Sequence, residues 1–304
     1  MAEAARPSDS GAERRPDPVG HLIELLDLDD LGGDRFGTPN PERGFGPRVF
    51  GGQVVAQALR AASYTVAEHL HLHSLHAYFL LAGTPGVPIT YEVDRIRDGR
   101  SFSTRRVVAM QGDRAIFNFS CSYHRGEPGV DYQLPIARDI PLPDDAPDDM
   151  GIIPESARDL IPMEFRDLGA TPADDEGYFR STRRVWMRIR RRLPDDPDLH
   201  TAMIAFLSDM GAVMAARAPL AEQPLEKLMG ASLDHSMWFH RPMRADEWFL
   251  YDMHAVSNAS ARGLAFGTLH TVDGVLGVSL AQEALLRIID RDGAPTLEVR
   301  GDEA

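Results

Sequence analysis

Phe50-Gly-Gly-Gln-Val-Val-Ala-Gln-Ala-Leu-Arg-Ala-Ala places Val54, Val55, Ala58, Leu59 and Ala62 on one wide stripe, the spacing of an α-helix that buries a face. Two glycines open the run and small residues fill it, so the helix is expected to lie mostly buried. The chain then changes period. From Leu75 to Tyr123 it reads as the strands LHAYFL, ITYEVDRI, FSTRRVVAM and AIFNFSCSY, separated by turn signals at Gly83-Thr-Pro-Gly, Asp98-Gly-Arg and Gln111-Gly-Asp. One helix followed by an antiparallel meander is an α+β unit.

Working outward, residues 1–20 are polar and Pro-rich, which predicts a disordered tail. His21 to Leu31 carries leucines at helical spacing. The first unit is expected over 21–130 and a Pro/Asp-rich connecting segment over 131–177, with at most short helices. The second unit, 178–304, repeats the plan. Val185, Met187 and Ile189 alternate along a strand, Leu199 to Arg217 reads as one buried helix, and Ser232 to Arg287 gives four more strands. Ser74-Leu75 with Tyr78-Phe79 matches Ser232-Leu233 with Trp238-Phe239, a period of 158 residues. That is too long for a solenoid. It predicts two tandem copies of a long helix wrapped by an antiparallel sheet, a double-hotdog pseudo-dimer; two unrelated α+β domains are the alternative.

A formal net charge of -14 on 304 residues excludes a general nucleic-acid binder, which needs a basic face. A local arginine cluster still suits an anionic small ligand. The single cysteine, Cys121, excludes an intramolecular disulfide and fits a reducing, cytoplasmic setting. The N-terminus lacks the apolar run of a signal peptide, and nothing reads as an unbroken membrane span. There is no G-x-S-x-G elbow, dinucleotide fingerprint or P-loop, and no tight cluster of metal-ligating residues, so neither cofactor nor metal is expected.

Four segments resemble the acyl-CoA thioesterase II family: Phe50-Gly-Gly-Gln-Val-Val-Ala-Gln-Ala-Leu, His73-Ser-Leu-His-Ala-Tyr-Phe-Leu, Arg97-Asp-Gly-Arg-Ser-Phe-Ser-Thr-Arg-Arg-Val and Leu233-Asp-His-Ser-Met-Trp-Phe-His-Arg-Pro. The resemblance spans both repeat halves. It implies hydrolysis of acyl-CoA by two fused hotdog units, with a water positioned by an Asp, a Thr or Ser, and a Gln. Those roles fall on Asp209 in Phe206-Leu-Ser-Asp, Ser232 before Leu233-Asp-His, and Gln282 in Ala281-Gln-Glu. Many bacterial members carry Thr where this chain has Ser232.

Read on their own, these residues leave choices. Asp209 sits among apolar neighbours and is either a buried base or a helix-end acid. Gln282 shares a strand face with Val278, Leu280 and Ala284, as a site amide or a satisfied core amide. Ser232 is a hydroxyl of the site or a turn residue. The Gly51-Gly52-Gln53 amides offer oxyanion stabilisation or simply allow close packing. Among Arg95, Arg97, Arg100, Arg105, Arg106 and Arg262, Arg100 and Arg262 are the candidates for CoA phosphates, and most of the cluster is expected to be solvated. His73 and His76 read as structural, and Met237, Trp238 and Phe239 as core or acyl-channel lining. Two rival functions stay open: an enoyl-CoA hydratase using Asp234 and His235, and a non-catalytic acyl-CoA-binding protein. Pairing of whole chains into a homo-oligomer is expected from the need to cover sheet edges.

Overall fold

The computed structural model describes residues 17–40, 47–136, 140–147, 158, 161–169, 183–220, 224 and 227–289. Most of the expected tail, residues 1–16, lies outside them. Helix α1 (Pro18–Leu26) starts three residues before the leucine pattern, because Asp17 caps it and Pro18 takes the first helical position. The helix ends at Leu26, short of the Leu31 that the leucine spacing suggested, and two short strands follow, β1 (Asp29–Asp30) within that run and β2 (Arg35–Thr38) after it.

The stripe at Val54 forms α2 (Gly51–Ser63), with Val54, Val55, Ala58, Leu59 and Ala62 all buried. The predicted meander is β3 (His71–Phe79), β4 (Ile89–Asp98), β5 (Phe102–Gln111) and β6 (Arg114–His124). The second half supplies β7 (Met163–Gly169), β8 (Arg183–Ile189), α3 (Pro197–Ser208), α4 (Ala212–Arg217), β9 (Leu228–Ser232), β10 (Asp234–Phe239), β11 (Phe249–Ala259), β12 (Arg262–Thr271) and β13 (Leu276–Ile288).

All thirteen strands join one antiparallel sheet in the order β1-β2-β4-β5-β6-β3-β10-β13-β12-β11-β8-β7, with β9 also paired to β13. The order reads alike from both sides of the central β3/β10 pair. In that pair Leu75 faces Met237, and His235 faces Ala77. The registers repeat too. Arg95 pairs with Arg105, and after a bulge Arg97 pairs with Thr104; 160 residues later Ala255 pairs with Ala265, and after a bulge Ser257 with Leu264. The period is therefore 160, not 158: Phe79 matches Phe239, and Ser232 matches Leu72 rather than Ser74. Both halves are irregular at this place: β3 shifts register between Leu72 and Ser74, and the second half separates β9 from β10 at Leu233. Ser232 consequently ends a strand instead of starting one.

Two further departures bear on the site. The Leu199–Arg217 run is two helices, because Gly211 adopts φ 109 and stops the first. The 24-residue stretch Pro197–Leu220 is apolar and long enough to cross a bilayer by composition alone, yet it is broken there and largely buried in the fold. The connecting segment also contains a strand: β7 pairs with β8 at the sheet edge, and its sequence shows no alternation because only Met163 is fully buried while Glu164 to Leu168 are half-buried. α2 packs against α3 and against β4, β5 and β6. The two helices run antiparallel, since Arg60 near the end of α2 pairs with Asp196 at the start of α3, and the end of α3 meets the start of α2.

Candidate active site

At that second meeting point three residues come together. Asp209 is the C-cap of α3, held at 8% exposure beside the first turn of α2. Helix-end acid and buried acid, alternatives in the sequence, are the same residue here. Its Oδ2 accepts the Gly52 N–H at 2.9 Å, and its Oδ1 accepts the Gln282 Nε2 at 3.0 Å and the Ser232 hydroxyl at 3.3 Å. Gln282 also donates to the Ser232 Oγ at 2.7 Å. Burial of the carboxylate pushes its pKa up to about 6, against the opposing pull of donors from Gln282, Gly52 and Ser232. A carboxylate so poised is ionised near neutral pH and still basic enough to take a proton.

The two glycines let the helices approach. A Cβ on Gly51 would lie 2.6 Å from the Asp209 Oδ2 and 2.9 Å from Phe79, and one on Gly52 would overlap the Phe206 carbonyl oxygen. Of the expected oxyanion donors, the Gly52 N–H is taken by Asp209, and the Gln53 N–H bonds to the Phe50 carbonyl. The Gln53 side chain turns into the core, donating to Asn40 and Gln57. Gly51 lines a cavity of about 350 Å3 together with Ser232, Phe79, Leu80, Leu81 and Arg48. Its walls are largely aliphatic and aromatic, with Ser232 at one side.

The arginines divide. Arg95 pairs with Asp34, Arg106 with Asp94, and Arg105 is buried against Thr65 and Asp98. Arg262 is paired with Glu283 at 2.9 Å. Arg100 is exposed on the β4–β5 turn, next to Phe102, which stacks on His124 beside a different cavity lined by His73, Thr201 and His240. Neither Arg100 nor Arg262 lines the Ser232 cavity. Arg48 does, and the sequence reading passed over it although it stands two residues before Phe50-Gly-Gly.

Asp234 and His235, the residues a hydratase would use, are separated in role. Asp234 accepts the Glu283 N–H at 2.6 Å. His235 is fully buried, its Nδ1 2.6 Å from the Gln282 Oε1 and its Nε2 2.8 Å from the Ser208 Oγ. His76 bonds to Ser236, and Met237 is buried as expected, whereas Trp238, expected in the core or an acyl channel, is exposed because strand alternation turns it away from the buried face of Met237. No cluster of three or more potential metal ligands occurs among the described residues.

Residues 38–124 match the family model for the acyl-CoA thioesterase N-terminal domain, and residues 164–285 match that for acyl-CoA thioesterase. The chain belongs to the acyl-CoA thioesterase II family. This thioesterase is 34% identical to human acyl-coenzyme A thioesterase 8, over 95% of its own length and 97% of the relative's. It is 33% identical to acyl-CoA thioesterase 2 of Haemophilus influenzae, over 88% and 96%. Its fold matches the acyl-CoA thioesterase II TesB2 of Mycobacterium marinum, with TM-score 0.75 and 35% identity, over 89% of this chain and 98% of that one. A hot dog fold protein of Alicyclobacillus acidocaldarius matches in fold alone, at TM-score 0.73 and 17% identity, over 91% and 99%. The thioesterase is thus a hotdog-fold enzyme that hydrolyses acyl-CoA thioesters.

Proposed function

We propose that hydrolysis proceeds by direct attack of water, with Asp209 as the base and Ser232 and Gln282 fixing its direction. The carrying observation is one buried carboxylate, its pKa raised to about 6, whose oxygens are held by Gln282, Ser232 and the Gly52 N–H. Asp209 takes the proton as the water oxygen reaches the thioester carbon. The C–S bond then breaks, and CoA leaves as a thiolate. A thiol of pKa about 8.5 leaves without the protonation an amine needs, so no acyl-serine step is required.

The substrate reading is a fatty acyl-CoA. Leu80, Leu81, Phe79 and Ile116 supply an apolar wall for an acyl chain, and Arg48 supplies a cation at the same cavity for CoA phosphates. Arg100 and Arg262 become lesser candidates. The repeat of strand order and register at 160 residues supports two fused hotdog units that build this one site across their junction, the acid coming from one and the capping N–H from the other. We also infer a cytoplasmic, homo-oligomeric enzyme. Cys121, buried with its thiol pushed up to about 12, suits a reducing setting, and Tyr78, Trp238 and Phe266 leave apolar area exposed on the sheet.

The test is release of free thiol from a panel of acyl-CoA chain lengths by wild type and Asp209→Asn. Turnover retained in the variant sinks the mechanism; hydration of an enoyl-CoA without thiol release would favour the hydratase, and binding without turnover the non-catalytic reading.

A further inference from the structure

A glutamine amide has two ends of nearly equal size, and only one is useful against a carboxylate. With its NH2 toward Asp209 and Ser232, Gln282 attracts the ionised base; turned over, it would set a carbonyl oxygen against it. The Asp209 carboxylate favours the first orientation from one end of the amide. Behind the amide stands His235, its Nδ1 2.6 Å from the Gln282 Oε1.

We propose that His235 is a positioning residue that locks the Gln282 amide with its NH2 toward Asp209 and Ser232, by donating from Nδ1 to Oε1. This rests on the reading of Asp209, Ser232 and Gln282 as the hydrolytic trio. A carbonyl oxygen can only accept, so the His235 proton lies on Nδ1. Burial depresses the imidazole pKa to about 4, so the ring is neutral and Nε2 carries a bare lone pair. The Ser208 Oγ lies 2.8 Å from this nitrogen and also 2.8 Å from the Ala205 carbonyl oxygen, and in the proposed arrangement its single proton goes to Nε2. One direction of donation then runs from Ser208 through His235 and Gln282 to Asp209. Asp209 accepts from Gln282 at one end, the Tyr251 hydroxyl donates to the Ser208 carbonyl at 2.8 Å at the other, and Asp234 and Glu283, the chain neighbours of His235 and Gln282, are joined to each other through the Glu283 N–H.

The repeat supplies an internal control. By register, Gln282 opposite Ala265 corresponds to Cys121 opposite Arg105, and Ser232 opposite Ala284 corresponds to Leu72 opposite Tyr123. The counterpart of His235 is Leu75, fully buried beside Cys121. At the end of α2 the cap is Tyr64, where α3 has Asp209. His235, Gln282, Ser232 and Asp209 therefore occur together on one side of the molecule and are all replaced on the other. The fold accepts leucine at this place; the histidine goes with the site.

Two measurements judge the proposal. In wild-type enzyme, imidazole 15N shifts should show His235 as the neutral Nδ1–H tautomer, and an Nε2–H tautomer would overturn it. The second is a double-mutant cycle of His235→Leu, the residue of the counterpart, with Gln282→Ala. His235→Leu should lower kcat at least about 10-fold with a much smaller change in KM, and raise the acid-limb midpoint of kcat/KM, because a freed amide stabilises the ionised base less. In the Gln282→Ala background the same substitution should move neither. An equal effect in both backgrounds, or no effect in wild type, overturns the proposal. If His235→Leu does not fold, the tautomer decides alone. Asp209→Asn run beside these separates the two levels: turnover retained there removes the trio and this inference with it, whereas a dead Asp209→Asn beside an uncoupled His235→Leu removes the inference only.

Discussion

The Oδ2 of Asp209 lies 2.9 Å from the backbone nitrogen of Gly52, across 157 residues of chain. The end of one repeat's helix is thereby joined to the start of the other's, with the carboxylate at the positive end of α2. Asp209→Asn keeps the size of the side chain and removes the base. Turnover should fall by roughly 100-fold or more with cooperative melting retained. Steady-state kinetics on the purified variant checks it, and near-normal kcat would exclude Asp209 from the chemistry.

Activity should also follow the ionisation of this acid. Only the carboxylate accepts a proton, so kcat/KM should rise with pH to a midpoint near 6, where an ordinary Asp would give about 3.8. Stability carries the opposite sign. Between 3.8 and about 6 the folded protein holds a proton that the unfolded chain has released, so this group costs stability as pH rises, on the order of 3 kcal/mol. His235, lowered from 6.5 to about 4, works the other way: folding excludes its proton, and stability is gained as pH rises through that window. The two act in opposite directions in wild type. Asp209→Asn removes the opposing group, so its melting temperature should climb from pH 4 to 6.5 more steeply than wild type's.

Ser232→Thr should keep most activity, because the hydroxyl between Gln282 and Asp209 survives. Ser232→Ala deletes it and should lower kcat/KM on the order of 10- to 100-fold. Equal kcat/KM for the alanine variant and wild type would make the hydroxyl a bystander.

The two glycines should fail differently. Gly52→Ala drives a methyl into the Phe206 carbonyl, a backbone atom that cannot turn aside, and should cost about 1–3 kcal/mol of stability. Gly51→Ala meets the Asp209 carboxylate and the flexible Phe79 ring, so activity should fall further than melting temperature. Thermal melts beside kinetics separate them; identical ratios of the two losses would contradict the assignment.

Residues 17–136 and 161–304, which keep α1 with its cap and β7 with β8, should aggregate or melt without cooperativity when expressed apart, and co-expression should restore thiol release. Each fragment alone bares one edge of the β3/β10 pair and one face of the α2/α3 contact. Two soluble, separately melting monomers would count against a shared interface.

What the sequence determined by itself was whatever depends on local period. The stripe Val54, Val55, Ala58, Leu59 and Ala62 specified α2, and alternation put Gln282 on the buried face with Val278, Leu280 and Ala284. The order of helix and strands was legible twice over, and the segments resembling the thioesterases marked Asp209, Ser232 and Gln282 as candidates. Tertiary structure decided the rest. Gly211 broke a continuous apolar pattern and turned Asp209 into a helix cap, since a backbone at φ 109 leaves no trace in hydrophobic spacing. The repeat is 160 residues rather than 158, because register is set by which strands pair and not by similarity along the chain. β7 carries no alternating pattern to read, because only Met163 is fully buried and Glu164 to Leu168 after it are half-buried on both sides. The Gly52 N–H reached the acid, and His235 came to stand behind Gln282, through contacts between segments far apart in sequence. Those contacts exist only once α2 packs against α3 and β10 pairs with β13.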